Sequence, residues 1–171
     1  MVLGDYSFLP TRTYRVRINQ TEKKTSGAGY NMIAMKMEII HPEAVDVEGK
    51  AVTVAGRKFT GHLMLVPGQA WGTREYEFCD KLGIQLEKDD EGVDIFDDTR
   101  HAEYFRGVEF DTELSSTETF KTYPKQPGEK EGKPILDGEG NKISRGFMTQ
   151  FDVSRIPDGG LANPSKVETA Y

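Results

Sequence analysis

The sequence predicts a mainly β protein: a five-stranded Greek-key barrel with one helix between strands 3 and 4, and long loops. Three observations carry that expectation. Apolar and polar side chains alternate with period two in five separate stretches, one stretch after Pro67-Gly68 changes to a period near 3.6, and Gly, Pro and charged residues fill the gaps. A length of 171 residues suits one domain with a core of its own. With 36% hydrophobic and 29% charged residues the composition is globular, and no apolar run approaches the roughly 20 residues of a membrane-crossing helix.

The elements follow in order. Met1 to Pro10 is a lead-in whose Tyr6, Phe8 and Leu9 can pack on the barrel edge; with Asp5 and no basic cluster it does not read as a secretory leader. Strand 1 turns Tyr14, Val16 and Ile18 towards the core and Arg15 and Arg17 outward. Glu22 to Gly29 is a polar, Gly-rich turn. In strand 2, Ile33, Met35, Met37 and Ile39 share one face, and Tyr30, Ala34, Lys36 and Glu38 the other. Met32, Met35 and Met37 read as core filler. The loop from His41 to Gly56 holds a short Ala51–Val54 strand or hairpin arm, and Lys58 to Val66 is strand 3.

Trp71, Glu75, Phe78, Cys79 and Leu82 then fall at helical spacing, with Gly83 where a C-cap glycine sits. Trp71 is expected as a buried anchor and Cys79 as an inert thiol. Asp98 to Phe105 allows a short second helix capped by Asp98 or Thr99. Val108, Phe110, Thr112 and Leu114 begin strand 4, and Phe147, Thr149, Phe151 and Val153 mark strand 5. Residues 1–156 thus form a single domain with an acidic insertion at 84–104 and a basic loop or arm at 121–145, and 157–171 is a flexible tail.

A net charge of −6 argues at first against a polyanionic partner, but the charge is unevenly placed. Between Pro10 and Lys36 lie Arg12, Arg15, Arg17, Lys23, Lys24 and Lys36 against Glu22 alone. Between Gly83 and Tyr104 lie Glu87, Asp89, Asp90, Glu91, Asp94, Asp97, Asp98 and Glu103 against Lys88 and Arg100. Such a polarised chain can bind a polyanion on one face.

Five strands with a helix between the third and fourth is the order of an OB-fold, which commonly binds oligonucleotides through strands 2 and 3 and the loops joining strands 1–2 and 4–5. The two loops richest in lysine are those two loops. The arm supplies Lys121, Tyr123, Lys125 and Arg145, and strand 2 supplies Lys36: cations to follow phosphates, aromatics to stack on bases. Phe120 and Phe147 are expected in the core.

The residues Leu9-Pro10-Thr11-Arg12-Thr13-Tyr14-Arg15-Val16-Arg17-Ile18, followed by Glu22-Lys23-Lys24-Thr25-Ser26-Gly27-Ala28-Gly29-Tyr30-Asn31-Met32, resemble the opening of the small bacteriophage single-stranded DNA-binding proteins with an OB-fold. Leu82-Gly83 and Phe105-Arg106-Gly107-Val108 are similar to the later pattern. Arg12 stands where that family has Gly, and the acidic segment and the arm are longer. The resemblance implies single-stranded DNA binding in phage replication and recombination, with Arg15, Arg17, Lys23, Lys24 and Tyr30 at the binding turn. It implies a cytoplasmic location in a bacterial host cell infected by phage, and replication or recombination proteins as further partners. A homo-oligomer is open; a membrane partner is not expected.

Catalysis is not expected, nor a cofactor or metal. His41, His62 and His101 are scattered, Cys79 is the single cysteine, and Gly27 and Gly29 precede no Gly-Lys-Ser/Thr. The acidic pairs lack the spaced oxygens of a calcium loop and read as a solvated face, or as a competitor for the basic groove. Tyr171 ends a tail too poor in acid to suggest a recruiting role. The alternative reading is a β-barrel protein-interaction or virion structural module that does not bind nucleic acid.

Overall fold

The computed structural model describes residues 8–65 and 74–157. Trp71, Tyr6, Tyr171 and nearly all of the expected tail lie outside the described residues. The chain runs β1 (Arg12–Thr25), β2 (Asn31–His41), β3 (Ala44–Val47), β4 (Lys50–Thr53), β5 (Lys58–Leu65), α1 (Arg74–Leu82), β6 (Glu87–Lys88), β7 (Asp94–Ile95), α2 (His101–Phe105), β8 (Glu109–Phe120) and β9 (Ser144–Gln150). Five of these strands form one antiparallel sheet in the order β5-β2-β1-β8-β9. They are the five strands that the alternation marks. Closure into a barrel is not seen among the described residues, where β5 and β9 are the two edge strands.

The sheet turns on β1, which is shared. Its first half, Arg12 to Arg17, pairs with β8, and from Arg15 to Thr25 it pairs with β2. Tyr14, Val16 and Ile18 are fully buried, as period two requires. The strand continues through residues expected to lie in a turn, and the turn itself is only Ser26 to Tyr30. Gly29 adopts a φ of 88° there, which a side chain would strain. A register shift between Ile18 and Gln20 inserts one residue into β1. Such a bulge inverts which side chains face the core. Lys23 therefore shares a row with buried Ile33, while Gln20, Glu22 and Lys24 lie opposite Lys36, Ala34 and Met32 on the other face.

The core fills the inner face of the sheet. Phe78 of α1 is fully buried, with ring centroids 5.1 Å from Phe105, 5.7 Å from Phe110 and 6.2 Å from Phe151. Helix α1 ends as its glycine predicts: Gly83 has φ 71°, and the Ile84 amide returns 2.9 Å to the Cys79 carbonyl.

The segment between α1 and β8 contains the short second helix that the sequence allowed, so two helices lie between the third and fourth main strands. The β6–β7 hairpin comes first, then a 3-10 turn over Asp98–Arg100 that leads directly into α2. The cap is Asp97 rather than Asp98 or Thr99, because its carboxylate accepts from the Thr99 amide at 3.0 Å. The arm after β8 is held by the bridges Thr122–Pro134 and Leu136–Lys142. Strand 5 begins earlier than its alternation suggests, at Ser144, and Val153 lies in a 3-10 turn. No helix among the described residues is long and apolar enough to cross a membrane.

Candidate nucleic-acid interface

The polar face of β1, β2 and β5 is laid out by register. Across it run the rows Lys24-Met32-Met64, Glu22-Ala34-His62, Gln20-Lys36-Thr60 and Arg17-Glu38-Lys58. Two adjoining concavities, of 350 and 490 Å³, share Gln20, Lys36, Thr60 and Arg106 as lining. Lys24 lines the first and Lys58 the second. A third, of 640 Å³, shares Lys58, Phe59 and Thr60 with the second and runs between the edges of β5 and β9 to Arg145 and Phe147. The result is a continuous groove with Lys24, Lys36, Lys58, Arg106 and Arg145 along it and Glu22 as the single lining carboxylate. Lys36, Lys58, Arg106 and Arg145 enter none of the ion pairs among the described residues.

Of the residues expected at the site, the groove gathers Lys24, Lys36 and Arg145. The others have different surroundings. Arg15 is 3.1 Å from Asp111 of the neighbouring β8. Arg17 is bound to Glu38 and to Asn19, whose amide also donates to Glu38. Asn19's hydrogen bond, with Arg17's after it, holds the Glu38 carboxyl below its ordinary range. Lys23 is 2.9 Å from Asp98, carried across by the bulge to the side where the acidic insertion packs. The Thr21 hydroxyl and His101 Nδ1 are 2.7 Å apart beside that pair. Part of the insertion thus folds onto the basic strand.

Tyr30 and Tyr123 are 45% and 57% exposed, in a turn and in the arm, outside the groove lining. Lys121 and Lys125 are exposed on the arm. Phe120 is half-buried, with Lys142 Nζ 5.4 Å from its ring centre. Phe147 is half-buried and lines the groove rather than the core.

Sequence reasoning missed Lys58, His62 and Arg106. The signal for the first two was present, since Lys58, Thr60 and His62 alternate along one polar face of β5 beside Lys36. Arg106 carried none, because its place depends on α2 docking beside β1. Cys79 is buried, and desolvation pushes its thiol up to about 12. Among the described residues no three His, Cys, Asp or Glu side chains gather where they could hold a metal ion.

The fold is mainly β around a five-stranded antiparallel sheet, and the candidate site is a cationic groove across its polar face. No protein-family model matches the chain, and no curated protein matches it either.

Proposed function

We propose that the chain is a sequence-tolerant single-stranded DNA-binding protein of the phage type, with an OB-like architecture, that coats and protects single strands during replication and recombination. The observation that carries this reading is the continuous groove from Lys24 to Arg145, where Lys36, Lys58, Arg106 and Arg145 enter none of the ion pairs among the described residues. Unpaired cations in a concave track are what a phosphate chain requires, because each neutralised phosphate releases counterions. Each concavity is of the size that a small ligand fills, about 300–1,000 Å³, which suits single nucleotides rather than a duplex. The strand order supports the OB reading: β5-β2-β1-β8-β9 is that barrel opened at its last seam. Lysine, threonine and glutamine lining gives phosphate contacts without a fixed code of base edges.

The test is fluorescence anisotropy of a labelled oligo-dT of about 30 nucleotides at low and high salt, with the same-length duplex as competitor. Tight, salt-steep binding that a duplex does not displace is expected. Absence of binding at low salt would overturn the reading and leave a protein-interaction module.

A further inference from the structure

We infer that the seam between β5 and β9 is a nucleobase subsite, with Phe147 as its stacking face and Lys58 and Arg145 as phosphate contacts on opposite walls. This deepens the single-strand reading and rests on it. The seam holds the largest of the three concavities, 640 Å³, and lies between the two edge strands of the sheet. Its lining contains no carboxylate. Phe59, Phe147 and Phe151 all contribute to it beside Lys58 and Arg145, three rings where the second concavity has Phe59 alone and the first has none. That pairing fits a nucleotide, which is an apolar ring attached to an anion; an extended peptide would not need the cations.

Two features set the side chains of the seam in place. A Cβ on Gly61 would stand 2.5 Å from Cε of Met37 and 2.8 Å from Cδ2 of Phe151, so the missing side chain on β5 leaves room for both. Phe147 meets Phe8 edge-on, with centroids 5.4 Å apart and planes at 79°. A ring already held by a neighbour loses less freedom when a base stacks on it. Tyr30 and Tyr123, the aromatics that sequence reasoning singles out for stacking, do not line the groove and are not assigned this part.

The experiment compares binding of a dT oligonucleotide with that of an abasic strand of equal length and charge, for the intact protein, Phe147→Ala and Phe147→Leu. It is joined to photo-crosslinking of the intact protein with a 4-thiothymidine oligonucleotide and mass mapping of the attached peptide. The subsite predicts a crosslink in the 144–150 peptide. It also predicts a loss of about 5- to 100-fold in dT affinity for Phe147→Ala, the range of one lost base stack, with abasic binding changed less than about 2-fold. Crosslinks confined to Tyr30 or Tyr123, or equal losses on both strands, would overturn the subsite and leave the groove reading standing. Failure of the intact protein to bind dT at low salt would remove both. Should Phe147→Ala unfold, Phe147→Leu and the crosslink on the intact protein decide.

Discussion

Lys23 Nζ lies 2.9 Å from Asp98 Oδ2, so a cation of the basic first strand is held by a carboxylate of the acidic insertion. The two charge blocks, far apart in sequence, are in contact. The pair is partly exposed on both sides and is worth little to stability, on the order of 0–1 kcal/mol. Its consequence concerns ligand binding, since it marks a cation of the first strand that lies on the face away from the groove.

Asp98→Asn should therefore leave the log-log salt slope of single-strand binding unchanged, because the bulge turns Lys23 away from the face that carries the groove. Thermal unfolding should move little. Anisotropy titrations across salt read the slope directly, and a slope steeper by about 0.7 would show that Lys23 does reach the strand.

Lys24→Ala combined with Lys36→Ala removes two groove cations, of which Lys24 has only a loose, exposed pair with Glu22 at 3.7 Å. Affinity should fall and the salt slope should flatten by about 1.4. The same titrations check it, with Arg15→Ala as a comparison: Arg15 is committed to Asp111 and should change the slope less.

Glu38 gives a pH dependence with a definite sign. Its carboxyl is held low by Asn19 and then Arg17, so the stability it contributes is present above the ordinary carboxylate range and is lost as pH falls through its depressed value. The intact protein should lose stability faster than Glu38→Gln below about pH 5, with the two curves converging in acid. Urea midpoints measured across that range would show it.

Phe78→Ala should cost about 3–5 kcal/mol, as expected for a fully buried aromatic whose neighbours Phe105, Phe110 and Phe151 belong to three different segments. Urea unfolding monitored by circular dichroism measures the loss.

Cys79 should not react with a thiol reagent at about pH 8 while the protein is folded, since burial, reinforced by nearby Glu75, keeps its thiol protonated up to about 12. Labelling should appear only as urea unfolds the chain. Rapid labelling of the native protein would contradict the burial of α1 against the sheet.

The five main strands were legible because each carries its own alternation: Val16 and Ile18, Met35 and Met37, Phe110 and Leu114 declare their inner faces locally. Helix α1 was legible from its spacing and its glycine. The pairing of Lys23 was not. It depends on the inserted residue between Ile18 and Gln20, which reverses the inward face midway along a strand, and no local pattern marks where such a bulge falls. The expected site was likewise read in part. Lys24, Lys36 and Arg145 meet because register and sheet curvature bring three strands together, whereas Tyr30 and Tyr123 were chosen for adjacency to lysines in sequence, which need not carry over to space. Lys58 and His62 are legible in the same way, on the polar face of an alternating strand beside Lys36.

The unclosed sheet has a bearing on behaviour at high concentration. A free strand edge is a template on which other chains can pair and aggregate. Here the edges of β5 and β9 look into one shared cleft, with Phe151 lodged against Gly61 within it, and the exposed run of β1 beyond Arg17 is flanked by α2. Under the proposed coating function, chains crowded side by side along a single strand would benefit from turning their unsatisfied backbone inward, so that neighbours can stand close without being drawn into a common sheet.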